Sequence, residues 1–124
     1  MVDFSRRRLL GSAAPARFEV DLRDCELTGE IPKDLDGAFY RLHMDWLYPP
    51  ANSDDTILAA DGYISMFRFR KGRADYKGRF VQTLRYVKQM EAGRQLYGYY
   101  RNPYTDELSV RDIANPRART TANT

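Results

Sequence analysis

Histidine and cysteine are almost missing from this 124-residue chain, which contains one of each, His43 and Cys25. Protein metal sites usually need three or four His, Cys, Asp or Glu ligands, so a site built from imidazole or thiolate groups is excluded within these residues. A lone cysteine also excludes an internal disulfide and gives no indication of an oxidising compartment. We interpret Cys25 as a small half-buried side chain and His43 as a structural residue near a strand end.

Several catalytic and membrane signatures are absent as well. The sequence has no His-x-x-x-His, no Cys-x-x-Cys, no phosphate-binding glycine loop and no Gly-x-Ser-x-Gly nucleophile elbow. No apolar run approaches the roughly 18 residues that a membrane-spanning helix needs. These absences predict that the chain contains no catalytic residue, no metal ligand and no transmembrane segment.

The excess positive charge is confined to the beginning of the chain. Residues 1–17 carry four arginines against Asp3, which accounts for the formal net charge of +3. A nucleic-acid-binding domain concentrates basic residues on a folded face, so the balanced remainder predicts no nucleic-acid partner. Ser5 to Leu10 resembles a twin-arginine export signal, although the apolar stretch behind it is marginal. We predict a leader or flexible arm over 1–16 and a cytoplasmic location, with periplasmic export as the alternative.

The composition indicates a folded and β-rich chain. Hydrophobic residues make up 43% and aromatic residues 13%, which is a globular composition. Nine tyrosines and six phenylalanines favour strands over helices. Sixteen arginines against four lysines are typical of a GC-rich and therefore bacterial source. The fold class predicted for residues 17–124 is all-β.

Alternation of apolar and polar residues predicts individual strands. Phe18, Val20 and Leu22 define the first, and residues 38–48 form the second, with Tyr40, Leu42, Met44 and Trp46 on one face. Residues 64–69 and 74–87 predict a β-hairpin around Lys71-Gly72-Arg73, and Asp61-Gly62 is interpreted as the turn that opens it. We also expect short strands within 26–32 and 108–110, and a helical turn over 91–96 that Gly93 weakens.

Six segments together resemble the carotenoid oxygenase family, in its lignostilbene dioxygenase-like branch. In chain order they are Gly29 to Pro32 with Leu35 to Arg41, Asp61-Gly62 with Ser65 to Phe69, Arg79 to Thr83, Ala92-Gly93-Arg94, Gly98 to Pro103, and Ala122 to Thr124. Each is weak alone, but their order and spacing are specific. The resemblance implies a seven-bladed β-propeller, of which this chain is the N-terminal part and incomplete on its own.

The resemblance also implies a reaction. Members use O2 and a non-haem Fe(II), held by four histidines on the propeller axis, to cleave a conjugated C=C bond into two carbonyl products. Those histidines are expected downstream of Thr124. The piece alone is therefore expected to bind no iron and to be inactive, and its partners would be the remaining blades of the same parent chain. The implied substrate is a small apolar or phenolic alkene, namely a stilbene, a carotenoid or a related styrenyl compound.

Two residues correspond to positions that contact substrate in stilbene-cleaving members. Tyr100 matches the tyrosine of "G-x-YRNP", which hydrogen-bonds the phenol oxygen of the substrate together with a lysine further along the chain. Leu58 stands where these members carry an aromatic residue that packs against the substrate. The resemblance thus implies that Tyr100 and Leu58 bind substrate, and the leucine leaves the substrate's identity open.

A second hypothesis is a non-catalytic β-sheet module that keeps the same scaffold for binding or interaction. The two hypotheses differ in the sequence expected after Thr124, because four dispersed histidines there would support the enzyme. The faces of a propeller blade pack against neighbouring blades. An isolated blade would expose them together with unpaired strand edges, so we expect the 124-residue piece alone to be insoluble or partly unfolded.

Overall fold

Four antiparallel strands form a single sheet in the computed structural model, which describes residues 15–52 and 54–121. The strands are β1 (Val20–Leu22), β2 (Gly37–Asp45), β3 (Asp61–Arg70) and β4 (Arg73–Phe80). Their order across the sheet is β1-β4-β3-β2, so β1 returns to pair with the outer edge of β4. The architecture is mostly strand, which confirms the predicted β-rich fold class.

The predicted hairpin is present and its turn is tight. Arg70 pairs with Arg73, which leaves Lys71 and Gly72 as a two-residue loop. Both loop residues have positive φ, 51° and 75° respectively. Two positive φ angles are the signature of a type I′ turn, whose twist matches that of the flanking strands. Gly72 adopts this backbone without steric cost, and the register of β3 against β4 follows from it.

The returning strand is shorter than predicted, because a helix replaces its second half. The strand β4 ends at Phe80, and α1 (Leu84–Ala92) follows, so the prediction of a strand to Val87 was wrong. The side chain of Thr83 accepts a hydrogen bond from Tyr86 N at 3.1 Å, which caps the first turn. Gly93, with φ of 69°, ends the helix. The prediction of a helical turn over 91–96 was therefore wrong in position, because the helix ends at Ala92.

The helix α1 buries polar residues and exposes apolar ones. Arg85 and Gln89, one turn apart, are its fully buried members. Leu84, Val87 and Met90 are largely exposed. A pattern search assumes that apolar residues mark the buried face of a helix, and this helix inverts that rule.

Other local expectations have mixed outcomes. Residues 26–32 and 108–110 contain no strand, which corrects both predictions. Short 3₁₀ turns occur instead in the connecting segments, at Ile57–Ala59, Pro103–Thr105 and Pro116–Arg119. Most of the predicted leader, including Ser5 to Leu10, and the final Ala122 to Thr124 lie outside the described residues. No helix within residues 15–52 and 54–121 is both long and apolar enough to cross a bilayer.

The buried apolar residues of the described part of the chain form three small clusters. The first contains Trp46, Ala59 and Ala60, with Met44 and Tyr100 packed against it. The second contains Leu47, Tyr63 and Phe80, and the third Leu96, Tyr97 and Val110. Of the apolar face predicted for residues 38–48, Trp46 is buried just beyond the end of β2 and Met44 is half-buried, whereas Tyr40 and Leu42 are exposed. The first cluster places Tyr100 against the end of the sheet.

Candidate functional site

Tyr100 lies at the corner of a tight turn that runs from Tyr99 to Asn102. Asn102 N donates to Tyr99 O at 3.0 Å, and Arg101 has a positive φ of 59°. The Tyr100 backbone N donates to Asp55 Oδ1 at 3.3 Å, which ties this turn to the segment before β3. The ring is half-buried against the first core cluster, and no described residue hydrogen-bonds its hydroxyl. The side chain is thus held by its backbone and ring, and its hydroxyl has no hydrogen-bond partner within residues 15–52 and 54–121.

An open cavity of about 290 Å³ lies beside Tyr100. Its lining residues are Ala59, Arg85, Tyr100, Arg101, Pro103, Arg119, Thr120 and Thr121. The guanidinium carbon of Arg101 lies 5.1 Å from the centre of the Tyr100 ring, within the range of a cation–π contact. The cavity therefore combines one aromatic wall with three positively charged side chains.

Leu58, the other predicted substrate residue, is not among the residues that line this cavity. It lies in the 3₁₀ turn Ile57–Ala59, which Thr56 caps, and its side chain is 41% exposed. The next residue, Ala59, is buried and forms the cavity wall together with Tyr100. The structure thus brings Ala59 to Tyr100, and the role of Leu58 in binding stays a prediction.

Arg85, which lines the cavity, forms a buried ion pair with Asp61. Arg85 Nε lies 3.3 Å from Asp61 Oδ1, and Gln89 Nε2 lies 3.4 Å from both carboxylate oxygens. Arg85 also donates to Ala59 O and lies 5.2 Å from the centre of the Tyr97 ring. Burial raises the pKa of Asp61 and lowers that of Arg85, against their mutual attraction. Asp61 and Gly62, predicted as a turn before the strand, are the first two residues of β3, and no sequence pattern indicated this pair.

A second pair joins Asp106 to Arg119, and Arg119 lines the cavity. Arg119 Nε donates to Asp106 Oδ2 at 2.7 Å, and Arg119 Nη2 donates to Asp106 Oδ1 at 3.0 Å. The Asp106 side chain is fully buried, and that of Arg119 is 12% exposed. Two parallel hydrogen bonds of this kind are the strong, directional form of an ion pair. Sequence reasoning did not identify either residue, since they lie 13 positions apart in irregular segments without a periodic pattern.

Metal-binding chemistry finds no support among the described residues. Within 15–52 and 54–121, no three His, Cys, Asp or Glu side chains are grouped so that they could hold an ion. His43 packs its ring against Tyr63 at a centroid distance of 4.8 Å, as befits the structural role predicted for it. Cys25 is a free, half-buried thiol, and its backbone N donates to Ala74 O at 2.8 Å. These residues do not fit an iron centre.

Comparison with known proteins gives consistent matches along nearly the whole chain. A family model described as Retinal pigment epithelial membrane protein matches residues 13–124. The chain is 43% identical over 116 residues to lignostilbene-alpha,beta-dioxygenase isozyme III of Sphingomonas paucimobilis, a match that covers 94% of this chain and 23% of that protein. It is 44% identical over 110 residues to resveratrol cleavage oxygenase 1 of Chaetomium globosum, covering 89% of this chain and 18% of that protein.

The fold matches a solved structure of the same kind. The crystal structure of Pseudomonas brassicacearum lignostilbene dioxygenase superposes with a TM-score of 0.80 at 37% sequence identity. That match covers 93% of this chain and 23% of the other chain. The chain thus spans about a quarter or less of the length of the proteins it matches.

Proposed function

This chain belongs to the carotenoid oxygenase family, which the matching model describes as Retinal pigment epithelial membrane protein, and we propose that it is part of an alkene-cleaving dioxygenase. The resemblance seen in the six sequence segments is thereby confirmed. In the proposed reaction, a longer parent protein uses O2 to cleave a conjugated C=C bond into two carbonyl products. This chain supplies one wall of the substrate site, with Tyr100 as the contact residue.

The position of Tyr100 is the observation that supports this proposal most directly. Its hydroxyl has no hydrogen-bond partner among the described residues, and its ring borders an open cavity. A half-buried phenol whose hydroxyl is bound by none of the described residues can form a hydrogen bond with a polar group on an otherwise apolar ligand. Because its backbone and ring are already fixed, little conformational entropy is lost when the hydroxyl finds that partner.

The proposed substrate is a phenolic stilbene or a related styrenyl compound, with a carotenoid as the alternative. The names of two similar proteins refer to lignostilbene and to resveratrol, and both compounds carry phenol groups conjugated to an alkene. In our proposal, the Tyr100 hydroxyl donates a hydrogen bond to the phenolic oxygen of the substrate. Such a bond favours the ionised form of the phenol, whose proton passes to solvent. The ionised oxygen donates more electron density to the conjugated alkene than the neutral phenol does, which favours attack of the alkene on an oxidant.

The iron of this reaction stays a prediction about the parent chain. The described residues do not fit an Fe(II) centre, so no step of the proposed mechanism passes through them. We expect the four histidine ligands, and the lysine that assists Tyr100, downstream of Thr124 in the parent sequence. A bacterial source and a location in the cytoplasm are likewise predictions, and the segment that would direct export lies outside the described residues.

The substitution Tyr100→Phe in the parent enzyme tests this proposal. A hydrogen bond to a charged group contributes roughly 1.5–3 kcal/mol, so kcat/KM for 4-hydroxystilbene should fall about 10- to 100-fold. The measurement is the rate of aldehyde formation by chromatography, together with the urea midpoint, which should change little. Tyr104→Phe is the matched control, because this exposed tyrosine lies outside the cavity lining.

Two results would contradict the proposal. A parent that forms no carbonyl products from any conjugated alkene would remove the enzymatic function and leave the non-catalytic module. A parent that cleaves 4-hydroxystilbene equally well with Tyr100→Phe would remove Tyr100 from the substrate site.

A further inference from the structure

We propose that Asp106 and Arg119 are positioning residues that hold Tyr100 in place for a phenolic substrate. The inference rests on the proposed function, because it concerns how the chain presents the Tyr100 hydroxyl. It assigns a role to two buried charges that neither the sequence pattern nor the predicted site included.

The Asp106 carboxylate fixes both ends of the segment that carries Tyr100. Its Oδ1 accepts a hydrogen bond from Gly98 N at 2.8 Å, two residues before Tyr100. A side chain at position 98 would collide with the Thr105 backbone, since a Cβ there would lie 2.6 Å from Thr105 C. Only glycine allows this close approach, so the carboxylate closes residues 98–106 into a compact loop.

The Arg119 guanidinium binds the two ends of the turn at which Tyr100 lies. Its Nη2 donates to Tyr99 O at 2.8 Å and approaches Asn102 O at 3.4 Å. Tyr100 and Arg101 are the central residues between these two carbonyls. The guanidinium is itself bound to Asp106 through two hydrogen bonds. It therefore holds the carbonyl groups at both ends of the turn that contains Tyr100.

The turn needs such support, because one of its residues has a strained backbone conformation. Arg101 has φ of 59°, a left-handed conformation that an ordinary side chain adopts at a cost of about 1 kcal/mol or more. A residue persists in this conformation when the surrounding contacts determine it. The contacts from Arg119 to Tyr99 O and Asn102 O are of this kind. Without them the turn is held by fewer hydrogen bonds, among them that of Asn102 N with Tyr99 O and that of Tyr100 N with Asp55.

Stability of the fold alone does not explain why a buried ion pair occupies this position. Removing two charges from water is costly, and a buried ion pair commonly stabilises a fold no better than apolar residues of similar volume. Arg119 of this pair also lines the cavity, as Tyr100 does. A directional pair in this place gives Tyr100 a defined orientation, and an apolar pair would not.

Arginine has a specific advantage over lysine here. The planar guanidinium of Arg119 donates to the Asp106 carboxylate through Nε and Nη2, and Nη2 also donates to Tyr99 O, with Asn102 O at the longer distance of 3.4 Å. A lysine ammonium is a compact group that could keep the charge attraction to Asp106 but could not span the turn in the same fork geometry. Arg119→Lys therefore separates the positioning function from the charge.

The test uses the parent enzyme with two substrates, 4-hydroxystilbene and 4-methoxystilbene, and compares their kcat/KM values. We expect Arg119→Lys to lower the preference for the phenolic substrate roughly tenfold, since small misplacements of a binding group have effects of this size. In a Tyr100→Phe background, the same substitution should change the preference little. Arg94→Lys is the matched control, because Arg94 forms a similar two-bonded pair with Glu107 away from the turn.

Hydrogen exchange provides a readout that does not depend on activity. In Arg119→Lys, the amides of residues 98–106 should exchange faster, while those of the β3–β4 hairpin should stay unchanged. Unchanged exchange over 98–106 would overturn the inference, and so would an equal loss of kcat/KM for both substrates.

If Tyr100→Phe lowers the preference for the phenolic substrate and Arg119→Lys does not, the inference fails and the proposed function stands. If Tyr100→Phe itself leaves the preference unchanged, the role of Tyr100 in the proposed function fails, and the positioning role with it.

Discussion

Arg85 Nε and Asp61 Oδ1 lie 3.3 Å apart, with 3% and 1% of their side chains exposed. This contact joins the helix α1 to the first residue of β3, and Gln89 adds two long hydrogen bonds from the next turn of the helix. Burial raises the pKa of Asp61 and lowers that of Arg85, so desolvation opposes the charged state of both groups. Such a pair is costly to form and still more costly to break on one side.

The substitution Arg85→Met should destabilise the parent by about 3–5 kcal/mol, because it leaves the Asp61 carboxylate buried without its counter-charge. The double variant Asp61→Leu/Arg85→Met should recover much of that loss, since no charge is then buried. Urea midpoints of the single and double variants measure the difference. Arg94→Met, which breaks an exposed pair, should shift the midpoint little. A double variant no more stable than Arg85→Met would contradict the explanation.

Gly78 in β4 is required by the ring of Tyr63 on the neighbouring strand. A Cβ at position 78 would lie 2.8 Å from Tyr63 Cζ and closer still to its hydroxyl. Gly78→Ala should therefore destabilise the fold by about 1–3 kcal/mol through overpacking. Gly37→Ala in β2 is the matched control, because a Cβ there meets no atom within 4 Å. Equal urea midpoints for the two variants would show that Tyr63 moves without cost.

The Tyr63 hydroxyl predicts a loss of stability at alkaline pH. This hydroxyl donates to Phe18 O at 2.6 Å, and burial raises the pKa of Tyr63 to about 12. The unfolded chain ionises near pH 10, so the contribution is complete below pH 10 and is lost as the pH rises to about 12. Two pKa units correspond to at most about 3 kcal/mol.

The measurement is the urea midpoint of the parent across this pH range, compared with Tyr63→Phe. The variant lacks the titrating group, so its midpoint should fall less steeply between pH 10 and 12. Parallel curves for both proteins would show that other groups cause the alkaline loss.

The isolated 124-residue chain should aggregate or be partly unfolded. Phe39, Tyr40 and Leu42 of the edge strand β2 are 59%, 64% and 51% exposed, and Leu84 on α1 is also exposed. Apolar residues beside an unpaired strand edge are a known aggregation hazard. Light scattering and calorimetry of the purified chain check this. A monomer with a cooperative thermal transition and one bound iron per chain would contradict the prediction.

Local sequence rules located all four strands of the sheet, because alternation of apolar residues reflects the geometry of a half-buried sheet, but they also predicted strands within 26–32 and 108–110 that the structure lacks. The hairpin around Gly72 was predictable for the same reason. The helix α1 was not, since its buried residues are Arg85 and Gln89, which a pattern search assigns to the solvent. Tyr100 became visible only through a family motif. The pair of Asp106 and Arg119 carries no local signal, because contacts between irregular segments leave no period in the sequence.

The pairing of β1 with β4 has a consequence for folding during synthesis. The strands β2, β3 and β4 are consecutive and can pair as soon as each emerges from the ribosome, since their contacts are local in sequence. Val20, however, pairs with Gly78, which is translated roughly 60 residues later. At typical elongation rates the first strand must wait on the order of 3–12 s for its partner. Until then the backbone groups of β1 lack their partners on β4 and are open to pairing with other chains.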